Sequence, residues 1–213
     1  AFTVGRTQDL LYLMAENYDR WNLDDWQIYL DSPMAIEATA TYSKYRPLYG
    51  AKLFGPDSTL PELPNFHQTL TAEQSMVLNV IESGAIIIAG SGMCSGGRIR
   101  HHLKNNVWRA EGHPVSEGGL AYGPLGRRLV EGAETIKLFG EEFRVRIQRH
   151  TIGGLSDNGD QADLLAWFGA FRNRPPVYLV HGERDAQQVL LRQMKKDLNA
   201  PVSIAERGQK IAI

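Results

Sequence analysis

The run Ala85-Ile86-Ile87-Ile88-Ala89 is apolar at every position and feeds directly into a glycine-rich turn, Gly90-Ser91-Gly92-Met93-Cys94-Ser95-Gly96-Gly97. A strand with one face in water alternates polar and apolar side chains. One without a polar position is covered on both faces, the situation of a parallel sheet with helices on either side. The remaining pattern agrees. Thr7 is placed to cap a helix through about Arg20, Gln27 to Leu30 reads as a short strand, and Ser32 before Pro33 starts a helix to about Tyr45. Thr71 restarts a helix to Ser83, and another follows the glycine turn to about Trp108. Further on come a short helix near Leu125, strands over Thr135 to Phe139 and Phe143 to Ile147, and a helix from Gln161 to about Arg172. A strand from Val177 to His181, a helix from Glu183 to Leu198 and a closing strand pair near Val202 and Ile211 complete the series. Strands alternating with helices predict an α/β fold, a mostly parallel sheet flanked by helices. Residues 47–70 hold four prolines and read as a long loop, and 109–124, with four glycines and two prolines, as irregular chain.

Composition narrows the partners. The 213 residues are 43% hydrophobic and 22% charged, which suits a globular chain. The formal charge of −1 gives no overall pull toward a polyanion, so any RNA contact must come from a local basic patch. Cys94 is the single cysteine, and no stretch has the length and apolarity of a signal peptide or membrane span, so a cytoplasmic location with no membrane partner is expected. The sequence begins at Ala1, inside what reads as the approach to a helix, which suggests a processed or partial chain.

Two features carry candidate chemistry. The strand, glycine turn and helix around Ser91, Gly92 and Gly97 would aim backbone amides and a helix start at one point, as a phosphate site requires; the same glycines also suit a tight turn that packs helix on strand. The turn is neither a Walker A loop, since Arg98-Ile99 follow Gly97, nor a dinucleotide fingerprint, since Ser95 stands at the third glycine. A nucleotide-binding α/β domain is one reading of it. Along the next helix Arg98, His101, His102 and Asn105 share a side, a face able to follow a phosphate backbone or simply to be solvated. Adjacent His101 and His102 point about 100° apart and make a poor metal pair. The six histidines show no H-x-H or H-E-x-x-H spacing, so no metal site is expected from this chain alone.

Several segments, in order, resemble β-CASP ribonucleases of the metallo-β-lactamase superfamily. They are Ala1 to Leu11 (AFTVGRTQDLL), Ile28 to Ala35 (IYLDSPMA), Ile88 to Met93 (IAGSGM) with Gly97-Arg98-Ile99, Gly123 to Leu129 (GPLGRRL), and His181-Gly182-Glu183. The resemblance spans nearly the whole chain. It implies a β-CASP domain over 1–134 and, over 135–213, the carboxy-terminal segment that completes a metallo-β-lactamase αββα sandwich. It implies zinc in the complete protein, held mainly by an H-x-H-x-D-H cluster that this sequence lacks, and partners in RNA and in an amino-terminal metallo-β-lactamase half, in cis or in trans. A homo-oligomer is a further expectation. Without that half, apolar faces over 143–213 would be left uncovered, predicting aggregation or tight association.

By the same resemblance Asp9 is the acidic residue of the first motif, and Arg128 and Asn158 stand at histidine positions of the second and third. Candidate RNA or phosphate contacts are Ser91, Gly92, Gly97, Arg98, His101, His102, Arg127, Ser156 and His181. Asn158 is the sharpest departure, because an amide neither binds zinc well nor moves a proton near neutrality. The stretch His113 to Tyr122 also departs, since HPVSEGGLAY cannot serve as the core strand relatives carry there. The expected function is zinc-dependent RNA phosphodiester cleavage by a complete protein of which this is the carboxy-terminal half, inactive alone. The alternative is a non-catalytic RNA-binding or scaffolding subunit.

Overall fold

The computed structural model describes residues 1–45, 63–117, 125–155 and 159–211. Two compact units divide the chain, Ala1–Leu155 and Ser156–Ile213. The fold is α/β, with small, mostly parallel sheets.

The first unit opens with helix α1 (Arg6–Glu16). Its cap is Gly5, not Thr7: Gln8 returns its side chain to the Gly5 amide at 2.8 Å, while buried Thr7 donates its hydroxyl to the Phe2 carbonyl at 2.7 Å. Thr7 is used for tertiary structure, and its sequence signature as a cap misplaced the helix start by two residues. Strand β1 (Gln27–Asp31) leads into α2 (Pro33–Lys44), capped by the Ser32 hydroxyl with Pro33 in the first turn as expected. Strand β2 (Phe66–Gln68) precedes α3 (Ala72–Val77), where Thr71 and Gln74 form a reciprocal cap; the segment stops being α-helical at Val77 and adds one 3-10 turn to Val80. The apolar run is β3 (Ala85–Ala89), and α4 (Ile99–Asn106) follows the glycine turn.

These three strands lie in the order β2-β1-β3, all parallel, with Ile28 opposite both Phe66 and Ile86. Leu11, Ile28, Leu30, Ala35, Ile36 and Ile88 form the core on which α1 and α2 sit.

The rest of the first unit is built on short pairs. Strand β4 (Val115–Glu117) runs parallel to β7 (His150–Ile152), so the stretch expected to be irregular contains a strand; it lies outside the core, with Val115 55% exposed, because main-chain pairing asks nothing of side-chain polarity. Helix α5 (Leu125–Val130) precedes the antiparallel hairpin of β5 (Thr135–Leu138) and β6 (Glu141–Arg144), which turns tightly at Phe139-Gly140. A second core of Leu103, Val107, Leu129, Ile136, Leu138 and Ile147 joins α4, α5 and the hairpin.

In the second unit α6 (Gln161–Gly169) is capped by Asp160, β8 (Val177–Leu179) pairs parallel with β9 (Val202–Ile204), and α7 (Arg184–Leu198) connects them. Phe168, Met194, Ala200 and Val202 are its buried centre. Helix α6 ends three residues before Arg172, and Ile211 lies beyond the last strand. Among the described residues no helix is long and apolar enough to cross a membrane.

Candidate nucleic-acid interface

In an open parallel sheet the place for a ligand lies beyond the carboxyl ends of the strands, where successive connections leave in opposite directions. The order β2-β1-β3 puts that point between β1 and β3. Asp31 ends β1 there, and the glycine turn follows β3.

Asp31 is fully buried, so its carboxylate must find all of its donors in protein. It does so from four places in the chain. The Ser75 hydroxyl donates at 2.7 Å, Arg98 at 2.7 Å and His102 Nε2 at 2.6 Å, and the Thr69 hydroxyl makes a further short bond. A carboxylate only accepts, so His102 carries its proton on Nε2. Burial alone would raise the Asp31 pKa, but the hydrogen bonds from His102, Thr69, Ser75 and Arg98 outweigh it and hold the carboxyl well below the ordinary range. Arg98 also donates to the carbonyls of Thr69, at 2.8 Å, and Leu70, at 3.0 Å, tying the exit of β2 to the start of α4. The other ring nitrogen of His102, Nδ1, is buried with no hydrogen-bond partner among the described residues.

The glycine turn is closed on itself. The Ser91 amide donates to the Gly96 carbonyl at 3.2 Å, Cys94 to Ser91 at 3.0 Å, and the Gly96 amide to the Ser91 hydroxyl at 3.4 Å. Those three amides reach a phosphate only if the turn opens. Gly97 has φ +74°, and a Cβ there would stand 2.5 Å from the Gly90 carbonyl oxygen, so only glycine lets α4 start this close to the end of β3. A Cβ at Gly90 would meet the hydroxyls of Ser32, at 3.3 Å, and Thr3, at 3.4 Å, which marks how tightly the ends of β1 and β3 approach.

The candidate residues named from the sequence fall in separate places. Arg98 and His102 face inward onto Asp31, while His101 is exposed with its ring centre 4.8 Å from that of Phe139. Ser91, Gly92 and Gly97 belong to the turn. Asp9 lies in the first turn of α1, partly exposed, and pairs with Arg6 at 3.2 Å. On α5 Arg127 pairs with Glu131 at 2.6 Å, and exposed Arg128 donates to the Thr135 carbonyl at 3.3 Å. His181 follows β8 in the second unit with φ +64°, its carbonyl accepting from Gln187 at 3.0 Å. Ser156 and Asn158 lie outside the described residues.

Sequence reasoning passed over Asp31, Thr69 and Ser75 as a functional group of residues. The available signal was an acid directly after the Ile28-Tyr29-Leu30 run, which must be met by donors when buried.

A structural zinc site takes four ligands and a catalytic one three plus an open position. Among the described residues no three His, Cys, Asp or Glu side chains converge on a point. Two histidines do meet: His113 Nδ1 and His150 Nε2 are 3.0 Å apart, with ring centres 5.3 Å apart and planes within 25°. The pair is a direct N–H···N bond in which one imidazole donates and the other accepts. The described residues therefore do not compose a zinc centre.

Known proteins fit the same outline. The Beta-Casp domain model matches residues 7–129, and the model described as "Zn-dependent metallo-hydrolase RNA specificity domain" matches residues 142–205. Ribonuclease TTHA0252 of Thermus thermophilus is 31% identical over 217 residues, covering 100% of this chain and 48% of the relative. Transcription termination factor FttA of Pyrococcus abyssi is 32% identical over 195 residues, 86% of this chain and 30% of the relative. An RNase J-like protein of Methanocaldococcus jannaschii is 30% identical over 213 residues, 100% of this chain and 49% of the relative. The chain thus spans about half the length, or less, of these relatives. With a three-stranded parallel sheet inside the first match and both matches in order along the sequence, the chain belongs to the β-CASP family of the metallo-β-lactamase superfamily.

Proposed function

We propose that this chain is the RNA-gripping portion of a zinc-dependent β-CASP phosphodiester hydrolase, and that it cleaves RNA only when a metal-binding half completes it in cis or in trans. The observation that carries the reading is the succession of a Beta-Casp match and an RNA-specificity match, in a chain whose described residues bring no three metal ligands together. The names of relatives, a ribonuclease and an RNase J-like protein among them, point to the same substrate. Asp31 has a structural part: by anchoring Arg98 and His102 it fixes α4, whose outer side presents Arg100, His101 and Lys104. With a formal charge of −1 overall, such a local patch is where phosphate attraction must concentrate. We place the protein in the cytoplasm, where RNA is processed, and allow for assembly of two copies.

The test joins this chain to the amino-terminal half of Ribonuclease TTHA0252 and measures cleavage of a labelled RNA with and without zinc. Zinc-dependent cleavage by the joined protein, and none by this chain alone, is the expected result. Cleavage by this chain alone, or its binding of zinc tightly and in stoichiometric amount, would refute the assignment.

A second reading is favoured by one residue. Asn158, at a position where the family resemblance expects histidine, suits a non-catalytic RNA-binding subunit. In the joined protein Asn158→His separates the two: a rise in cleavage marks an enzyme weakened at one position, and unchanged inactivity marks a scaffold.

A further inference from the structure

The β5–β6 hairpin turns through Phe139 and Gly140, both with positive φ, 51° and 89°. Two-residue turns with this backbone strongly prefer Asn-Gly or Asp-Gly, since the first position disfavours a bulky side chain. Here that position holds a phenyl ring that is 45% exposed. The ring is ringed by nitrogen groups from the outer side of α4. The Arg100 guanidinium lies 4.6 Å from its centre, the Lys104 ammonium 5.9 Å, and the His101 ring centre 4.8 Å with a 33° tilt. Lys104 also lies 5.8 Å from the Phe143 ring and pairs with Glu141 at 3.0 Å. Among the described residues no carboxylate pairs with Arg100 or His101; His101 is exposed and Arg100 partly so.

Holding a hairpin on a helix needs only apolar contact, which Ile136 and Leu138 already make with Leu103 and Val107. The aromatic ring and its cations add a π surface and phosphate-pairing charge at one exposed point. Single-stranded RNA is recognised by that combination, bases stacking on aromatic or guanidinium planes and phosphates meeting cations. A duplex, with its bases already stacked, has nothing to offer the ring.

We propose that Phe139, with Arg100, His101 and Lys104, is a docking patch for single-stranded RNA: a base stacks on the Phe139–Arg100 pair and the adjoining phosphates meet Lys104 and His101. The proposal rests on the reading above that RNA is the ligand, and deepens it by naming the strand state and the contact.

The experiment titrates this chain into a fluorescein-labelled oligouridylate spanning ~16 nucleotides and follows anisotropy at several salt concentrations. Phe139→Leu keeps an apolar side chain without the ring and is expected to weaken binding about ten-fold. Lys104→Gln should weaken it and lower the salt slope by about one. Lys195→Gln on α7 should leave affinity unchanged. Should Phe139→Leu fail to fold, Phe139→Trp supplies the readout, with tryptophan emission quenched as the oligonucleotide binds. Equal affinity of the original chain and both patch variants, an unquenched Trp, or equal affinity for the oligonucleotide in a duplex would overturn the patch while leaving RNA as ligand. No binding by the original chain would overturn the patch and the RNA reading of this chain together.

Discussion

Helix α4 has two basic sides with opposite fates. Arg98 and His102 turn inward and spend their donors on a fully buried carboxylate, whereas Arg100, His101 and Lys104 turn outward around an exposed ring. Positive charge on a helix is therefore not one property. On the inner side it satisfies a cost already incurred by burying Asp31, so removing a partner leaves an uncompensated charge. On the outer side water screens every pair, and loss of one group hardly disturbs the fold.

The sharpest way to break that contrast is Asp31→Ala. It strands Arg98 and His102 and is expected to cost roughly 3–5 kcal/mol in urea unfolding. The same carboxylate sets an acid limit. Its folded pKa is depressed, so below the ordinary carboxylate value of about 3.9 the unfolded chain binds the extra proton. Its stabilisation is whole above that pH and is lost as pH falls from there toward the depressed value. Melting measured from pH 5 downward should drop more steeply for the original chain than for Asp31→Ala. Gly97→Ala forces a Cβ onto the Gly90 carbonyl and a strained φ, and is expected to cost roughly 1–3 kcal/mol by the same unfolding measurement. At the other end of the scale Arg100→Gln should change stability by under about 0.5 kcal/mol, although it faces RNA in the proposal above. A large loss there would erase the distinction between the two sides.

Local signals in the sequence located much of the first unit. Ser32-Pro33 and Thr71 start their helices where expected because capping is settled within a few residues. The Ala85 to Ala89 run lies in a parallel sheet as expected, although Ala85, Ile86 and Ile87 are half-buried where cover on both faces was expected. Thr7 misled because a hydroxyl suited to a cap found a tertiary acceptor. Helical spacing grouped Arg98, His101 and His102 on one side, but could not say that Arg98 and His102 meet an acid 67 and 71 positions earlier while His101 does not. Phe139 was read as the end of a strand, and only the positive φ of the turn shows it to be a display position.

The dependence of Asp31 on Thr69, Ser75, Arg98 and His102 bears on how the molecule reaches its native state. The full set of donors is present only after two long crossovers have closed, and the loop-closure entropy of each opposes folding before its donors reach the carboxylate. An intermediate with β1 and β2 joined but β3 loose would hold this carboxylate without Arg98 and His102, its two basic partners. Partial assembly at this end is therefore penalised, and the three strands behave as one cooperative element that opens and closes together.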